Sequence, residues 1–366
     1  MNPELETLIT ELDTRRTAPG LTSWRHRFEA RAYAETQPPR PTPELLARSD
    51  GMALLYRGHV NEIHGVPEAG KGFIVAVAVA EELDAGRRVL YLDFDQDPEG
   101  VVERVLAAGA APDSLDLLDL HPIDEPLPIT IQGNIRYLTD DAEDVLVSLT
   151  DSASLVVLDG VNAGLSMHGM SAKDERDYAD FTRLFAFRFK REGATVILID
   201  HVTKSAEGRG VFAFGTIHKS AVLDGASYAV QVIDQPSPGR VGRLSLEVAK
   251  DRRGGVRATA VRTANKDIAA EIVIDDTGER TVIRVEPPAT SSQWRPTFYM
   301  QKVSIALEGC SEPVTQNRIE EEVPGKARYV REALIALVED GYVRRTDGPN
   351  RSRLHESIKP YREPES

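Results

Sequence analysis

Apolar runs of strand length alternate with longer amphipathic stretches from about residue 50 to residue 285. Enough chain separates the first four runs to hold a crossover helix, which predicts parallel strands in an α/β fold. The later runs stand closer together and favour hairpins at the edge of the sheet. The predicted strands are Val60–His64, Val89–Phe94, Leu155–Asp159, Thr195–Asp200, Tyr228–Ile233 and Arg243–Ala249.

Two further patterns mark the limits of this predicted core, which we place at residues 50–286. Before it, residues 1–49 read as an N-terminal helical extension whose Pro-rich stretch 38–43 is an extended connector. Near its end, the segment 257–285 alternates polar and apolar residues around Asp-Asp-Thr-Gly (275–278), which predicts two strands and a turn. The helix of the extension is predicted from the spacing of Leu5, Leu8, Ile9 and Leu12.

The pattern changes again after a predicted linker at residues 287–296. Helices are predicted at Phe298–Leu307, Thr315–Val323 and Ala327–Val338, and a strand and turn follow at residues 342–348. Three helices followed by a β-hairpin are typical of a winged helix-turn-helix, here residues 297–366. The apolar face of the third helix is predicted from Val330, Leu334, Ile335 and Val338.

Composition describes an ordinary globular chain of 366 residues, with 41% hydrophobic and 28% charged residues. No run approaches the roughly 18 apolar residues of a membrane span, and the first residues lack the pattern of a secretory signal. Cys310 is the only cysteine, which fits a reducing cytoplasm. A net charge of −14 argues against sequence-blind adhesion to nucleic acid, although a local basic surface remains compatible with it.

Residues 65–72 read Gly-Val-Pro-Glu-Ala-Gly-Lys-Gly, between a predicted strand and the predicted helix Phe73–Leu83. The spacing matches the phosphate-binding pattern G-x-x-x-x-G-K-[ST], in which backbone N–H groups cradle phosphate oxygens at a helix N-terminus. Lys71 is therefore predicted to reach the β- and γ-phosphates of ATP. A plain glycine-rich turn is the alternative interpretation.

Three predicted strands end in polar residues that suit a nucleotide site. Asp159 ends a run of the Walker B form and is predicted to bind Mg²⁺ through water. Asp95 follows another strand and is the predicted general base, with a solvated acidic loop as the alternative. His201 is a candidate γ-phosphate sensor or an ordinary surface residue. The predicted nucleotide-binding residues are Gly65, Pro67, Glu68, Ala69, Gly70, Lys71, Gly72, Phe73, Asp159 and His201.

The order of these motifs, followed by Lys250-Asp251-Arg252, resembles the RecA-fold ATPases of the RepA and DnaB hexameric helicase group. The likeness covers roughly residues 50–260 and is nearest to RepA-like proteins of actinobacteria, phages and mobile elements. It implies a RecA-like P-loop core that assembles as a hexamer or filament with ATP at subunit interfaces. It also implies that Lys250 and Arg252 act catalytically in trans on a neighbour's γ-phosphate, whereas the residues alone also fit a surface basic run. The stretch 215–226 resembles the group's DNA-facing or sensor loop.

Two departures from that group's pattern affect hydrolysis. Gly72 replaces the Ser or Thr whose hydroxyl binds Mg²⁺. Asp95 stands where the group usually has Glu, which withdraws the base by roughly 1 Å, and a shift of that size can cost about a hundredfold in rate. Both changes predict slow turnover with nucleotide binding retained.

The C-terminal segment is the predicted nucleic-acid interface. Residues 294–366 hold 12 Lys or Arg and 12 Asp or Glu, so the segment is neutral while the rest of the chain is acidic. Its basic residues cluster at the start of the third helix and on the wing, and the acidic run 320–322 is expected to face away from DNA. A winged helix used for protein contacts is the alternative. The predicted DNA-binding residues are Lys326, Arg328, Arg331, Arg344, Arg345, Arg351 and Arg353.

These features support several hypotheses on function. The first is an ATP- and DNA-binding RepA-like ATPase of replication or recombination, an oligomeric helicase or translocase with weak hydrolysis that works with replication proteins. The alternative is a nucleotide-gated DNA-binding initiator, loader or regulator with little catalysis. A third is a transcriptional repressor whose ATPase-like fold only oligomerises. Gly72 and Asp95 favour the gated protein, and the Lys250/Arg252 pair favours the motor.

Overall fold

The structure is a computed structural model and describes residues 29–36, 39–201, 222–263, 266–288, 297–310, 312–323, 327–348 and 352–362. The chain divides into two compact units, Met1–Pro41 and Thr42–Ser366. In the first unit, Ala30–Thr36 forms helix α1. The predicted helix around Leu5–Leu12 lies outside the described residues.

The second unit contains a ten-stranded sheet and two smaller strand pairs before residue 287. The predicted strands are present within two residues of their predicted limits. In chain order the strands are β1 (Leu45–Ala47), β2 (Ala53–Leu55), β3 (Val60–Gly65), β4 (Arg88–Asp93), β5 (Leu118–Pro122), β6 (Ile129–Gln132), β7 (Ile135–Leu138), β8 (Ala153–Asp159), β9 (Thr195–His201), β10 (Ala226–Asp234), β11 (Val241–Asp251), β12 (Val261–Thr263), β13 (Lys266–Asp275) and β14 (Val282–Glu286).

The large sheet has the order β12-β13-β11-β10-β3-β9-β8-β4-β5, with β14 beside β13. From β10 to β5 every neighbouring pair is parallel. The pairs β10–β11 and β13–β14 are antiparallel, as predicted for the later runs. The predicted α/β class with a mostly parallel sheet is therefore confirmed, and the sheet is consistent with a RecA-like P-loop core. The pair β1–β2 lies partly in residues that the sequence analysis assigned to the N-terminal extension.

Helices lie between the parallel strands wherever the structure describes the connection. A 3₁₀ turn at Pro112–Leu117 precedes β5, and a π-helical turn at Thr182–Ala186 joins the last two helices of this part. Within the described ranges, no helix combines the length and apolarity needed to cross a bilayer. The helices are α2 (Lys71–Asp84), α3 (Pro98–Ala107), α4 (Asp140–Thr150), α5 (Val161–Met167), α6 (Glu175–Phe181) and α7 (Phe187–Arg191).

The sheet is buried on both faces because alternate residues of its central strands enter two different cores. On β8, Leu155 and Val157 pack with α2 on one face, whereas Val156 and Leu158 pack with α6 on the other. This two-residue period explains why the central strands read as continuous apolar runs. Because the central strands are packed on both faces, their ends, which carry the predicted site residues, are held in position.

A third core holds the C-terminal elements together. Its strands form a three-stranded antiparallel sheet in the order β15-β17-β16, and the strand β15 was missed by the sequence analysis because it is only two residues long. The predicted face of the third helix was partly wrong: Ile335 is 55% exposed, while Leu337 is fully buried. The elements are α8 (Thr297–Glu308), β15 (Val314–Thr315), α9 (Gln316–Glu322), α10 (Ala327–Glu339), β16 (Val343–Asp347) and β17 (Arg353–Ser357).

Candidate nucleotide-binding site

The carboxyl ends of four parallel strands meet at one edge of the sheet. Asp93 at the end of β4 is the register partner of Asp159 at the end of β8, and Gly65 at the end of β3 is the partner of His201 on β9. A cleft of about 430 Å³ opens there. Clefts beyond the carboxyl ends of parallel strands are the usual ligand sites of α/β sheets.

Most of the predicted nucleotide-binding residues line this cleft. Predicted residues Gly65 and Pro67 do not line it, although the Gly65 carbonyl contacts Lys71. The predicted base Asp95 is also part of the wall. The predicted residues that line the cleft are Glu68, Ala69, Gly70, Lys71, Gly72, Phe73, Asp159 and His201.

Gly70 shapes the turn from β3 into α2. It precedes the first helical residue with a φ of 77°, in the left-handed region that glycine adopts without strain. A Cβ on Gly70 would lie 2.8 Å from Cδ1 of Leu244, so the turn also packs tightly on β11. The first turn of α2 has no acidic residue and no side-chain cap, so the positive end of its dipole faces the cleft without a neutralising carboxylate of its own helix.

Lys71 lies folded against its own loop. Its Nζ is 3.1 Å from the Gly65 carbonyl oxygen and 2.9 Å from that of Val66, and 3.0 Å from Nδ1 of His201. The residue is only 4% exposed. Burial lowers the pKa of Lys71, and the carboxylates of Asp159, Asp200 and Asp95 oppose that shift. An incoming phosphate would exchange these contacts for charge-assisted hydrogen bonds to the same ammonium group.

His201 links the loop lysine to the predicted base. Its Nε2 lies 3.2 Å from Oδ2 of Asp95, on the ring side opposite Lys71. This hydrogen bond is the largest cause that lowers the pKa of Asp95. A carboxylate with a lowered pKa is a weaker proton acceptor, so the arrangement does not favour Asp95 as a general base.

Asp159 is buried and held by a side chain that the sequence analysis did not include. The Tyr91 hydroxyl donates to Asp159 Oδ2 over 2.5 Å. Burial raises the pKa of Asp159 to about 6, the nearby Asp95 and Asp93 also raise it, and Tyr91 and Arg104 oppose the shift. Asp93 has a structural task, since its carboxylate accepts hydrogen bonds from the backbone N–H groups of residues 95, 96 and 97.

Gly72 faces an arginine. An ideal Cβ on Gly72 would lie 2.9 Å from Nε of Arg104 and 3.4 Å from its Cζ. Arg104 projects from α3, where its Nη1 donates to Asp97 Oδ2 over 3.1 Å, and it lines the cleft. The space into which a Ser or Thr side chain would project is therefore occupied by a guanidinium group.

These residues do not fit a magnesium ion held in the way the P-loop pattern implies. Gly72 offers no hydroxyl, and a positively charged Arg104 side chain lies beside it. Asp159 remains the candidate carboxylate. Across the described part of the chain, no group of three or more His, Cys, Asp or Glu side chains is arranged to hold a metal.

The predicted catalytic pair lies at another place. Lys250 is near the end of β11, where its Nζ donates to the Leu223 carbonyl over 2.6 Å, and Arg252 follows in the exposed turn. Burial, and then the charge of Arg252, lower the pKa of Lys250. Neither residue lines the cleft of its own chain. The stretch 215–221 of the predicted DNA-facing loop lies outside the described residues.

The structure describes only some of the predicted DNA-binding residues. Arg331 on α10 makes a two-pronged ion pair with Glu320 on α9, at 2.7 Å and 2.9 Å. Glu320 of the acidic run therefore pairs with one of the predicted DNA-binding residues, and the expectation that the run faces away from DNA stays a prediction. Arg344, Arg345 and Arg353 are exposed on the hairpin β16–β17. Lys326, Arg351 and the Arg328 side chain lie outside what the structure describes.

Comparison with known families agrees with the geometry of this cleft. Residues 26–207 match the family model AAA_25, an AAA domain. The AAA domain match includes the loop, both acidic strand ends and His201, and it supports a nucleotide-binding protein of the ATPase type. A search of curated proteins gave no match for the chain.

Sequence reasoning missed Tyr91 and Arg104. A signal for Arg104 was present: it follows Asp97 by seven residues, which on a helix is about two turns and places both on one face. Tyr91 had a weaker signal, since it precedes Asp93 by two residues and shares its face of β4. Its hydrogen bond to the neighbouring strand depends on the register β4–β8, which the sequence does not reveal.

Proposed function

We propose that this protein binds ATP in the cleft and uses the bound nucleotide to gate an interaction with DNA, with slow hydrolysis. The observation that carries the proposal is the position of Lys71, at the N-terminus of α2 and within 3.1 Å of two loop carbonyls that a phosphate would replace. The AAA domain match supports the same ligand class.

Slow hydrolysis is supported by two features of the cleft. Asp95 is hydrogen-bonded to His201, which lowers the pKa of the carboxyl and weakens it as a base. Gly72 lacks the hydroxyl that positions a metal in the P-loop pattern. A protein of this kind responds to nucleotide binding more than to turnover, as expected of a nucleotide-gated replication initiator, loader or regulator.

The DNA part of the proposal rests on the C-terminal elements. Their order, helix–strand–helix–helix–strand–strand, is typical of a winged helix-turn-helix and supports this part of the proposal. Arg344, Arg345 and Arg353 are exposed on the hairpin that corresponds to the wing, where cations contact phosphates.

An oligomeric helicase or translocase is the second candidate. Lys250 and Arg252 lie outside the cleft of their own chain. This position favours the second candidate, because a finger that acts on the ATP of a neighbouring subunit must lie outside its own cleft. In that case ATP would lie at subunit interfaces of a hexamer or filament.

The direct test is calorimetric titration of ATP into the wild-type protein and into Lys71→Ala. We expect saturable binding by the wild type and at least a tenfold loss in the variant, because charge-assisted hydrogen bonds to the phosphates disappear. Wild-type protein that binds no ATP would contradict the proposal. Two further measurements then separate a gate from a motor. A gate changes its DNA affinity when ATP is added, whereas a motor shows steady-state ATPase activity in the presence of DNA.

A further inference from the structure

Gly72 affects the cleft in a second way, beyond the missing hydroxyl, because it leaves space that another side chain occupies. Arg104 fills the space that a side chain at position 72 would need, with its Nε 2.9 Å and its Cδ 3.2 Å from the ideal Cβ. The arginine belongs to α3, which starts at Pro98, shortly after β4 ends at Asp93. Glycine at position 72 is thus what allows a guanidinium group to reach the first turn of α2.

Two cations and a helix N-terminus meet at this point, in a cleft that is also lined by Asp93, Asp95, Asp97 and Asp159. Arg104 and Lys71 both line the cleft beside the positive end of α2, whose first turn holds no acidic residue. A cation at a helix N-terminus is unfavourable by itself. The carboxylate paired with Arg104 belongs to Asp97, whose side chain is 57% exposed, so solvent screens that pair.

A guanidinium group suits phosphate better than most side chains do. It stays charged at all relevant pH values and donates two parallel hydrogen bonds to phosphate oxygens. Resting on the nucleotide binding proposed above, we propose that Arg104 is a phosphate-binding residue that takes over the charge neutralisation otherwise supplied by Mg²⁺. ATP then binds this chain without a divalent metal.

The test measures ATP affinity by calorimetry in excess Mg²⁺ and in EDTA. We expect the wild-type affinity to change by less than about threefold between the two conditions. Arg104→Gln should lose about tenfold to a hundredfold in EDTA, since hydrogen bonds between charged groups are lost. Arg284→Gln is the matched control, because Arg284 is a half-exposed, ion-paired arginine on β14 that does not line the cleft.

A second pair of variants tests the link between positions 72 and 104. Gly72→Ser should weaken ATP binding in EDTA, because its Cβ displaces Arg104, and Gly72→Ala should do so equally without adding a hydroxyl. In Gly72→Ser/Arg104→Gln the obstruction is gone and the hydroxyl is available, so ATP binding should improve when Mg²⁺ replaces EDTA. Thermal unfolding of each variant shows whether it is folded.

The possible results separate this inference from the proposed function. Wild-type protein that binds ATP in Mg²⁺ but loses it in EDTA would overturn the role of Arg104 and leave nucleotide binding intact. Arg104→Gln that binds ATP in EDTA as tightly as the wild type would do the same. Absence of ATP binding in both conditions would overturn both proposals together.

Discussion

At the scale of single residues, the cleft depends on contacts that only glycine permits. Gly70 combines a left-handed φ of 77° with a 2.8 Å approach of its would-be Cβ to Leu244. Gly160, directly after Asp159, has a φ of 83°, and a Cβ there would lie 2.6 Å from Oδ1 of Asp95. The acidic strand ends can therefore lie side by side only because no side chain separates them.

Gly70→Ala should destabilise the protein and weaken ATP binding, because strain at positive φ adds to the clash with Leu244. We expect a loss of about 2 kcal/mol or more in the free energy of unfolding, measured by urea denaturation. Gly86→Ala is the control: its φ is also positive, at 70°, but nothing lies within 4 Å of the added Cβ. Equal losses in the two variants would show that the contact with Leu244 does not contribute to the free energy of unfolding.

Tyr91→Phe should destabilise the protein without changing the shape of the core. The substitution removes the hydroxyl that donates to Asp159 and leaves a buried carboxylate oxygen without that partner, which costs about 1–3 kcal/mol. Urea denaturation at neutral pH measures the loss. Tyr137→Phe serves as the comparison, since Tyr137 is 38% exposed, and similar losses in both variants would contradict the importance of the Tyr91–Asp159 bond.

At the scale of secondary-structure elements, a buried carboxylate fixes the end of α2. Glu82 is fully buried and accepts hydrogen bonds from Arg57, Arg87 and Ser154. Burial alone would raise the pKa of Glu82, but these three partners outweigh it and lower the pKa to about 2. The group therefore ties α2 to the starts of β3, β4 and β8.

Glu82→Gln should cost on the order of 3 kcal/mol at pH 7, from about 1.4 kcal/mol for each unit by which the pKa lies below 4.5. Because the folded-state pKa is the lower one, this stabilisation is complete above pH 4.5 and is lost as the pH falls towards 2. The difference between wild type and variant in urea denaturation should thus shrink from pH 7 to pH 3. A constant difference would refute the assignment.

The C-terminal elements allow a test of the charge pattern on α9 and α10. Glu320→Ala releases Arg331 from its ion pair, so DNA affinity should rise and the salt dependence should steepen by about one counterion. Fluorescence anisotropy with labelled DNA at several salt concentrations measures both. Glu312→Ala makes the same charge change at an exposed residue, and an equal effect of the two variants would exclude a specific role for Arg331.

The order of elements was predictable from the sequence because the central strands are apolar on both faces and the P-loop motif sets the first strand–helix turn. The contact between His201 and Asp95 was not predictable, since it depends on the order β9-β8-β4, which brings the ends of two strands that are not direct neighbours together. The P-loop motif ends at position 72 and does not include Arg104, so only the spacing of Arg104 from Asp97 pointed to it. The face of α10 was misjudged at Ile335 because an apolar residue on a short helix need not point inward.

At the scale of the whole molecule, the proposed gate and the proposed motor differ in the role of Arg252. Arg252 follows β11 and does not line the cleft of its own chain, so the motor hypothesis requires it to act on ATP in a neighbouring subunit. In the proposed motor this interface is head-to-tail, and each active site would combine the cleft of one subunit with the arginine of the next.

A mixing experiment tests this arrangement. Lys71→Ala removes the cleft's lysine and Arg252→Ala removes the finger, so each variant alone should have almost no ATPase activity. An equal mixture should regain about one quarter of the wild-type rate, because one interface in four pairs an intact cleft with an intact finger. Arg253→Ala is the control, since its guanidinium contacts His59 and its loss is expected to leave the rate unchanged. A mixture that assembles by mass measurement yet stays inactive would exclude action in trans and leave the nucleotide gate as the function of this fold.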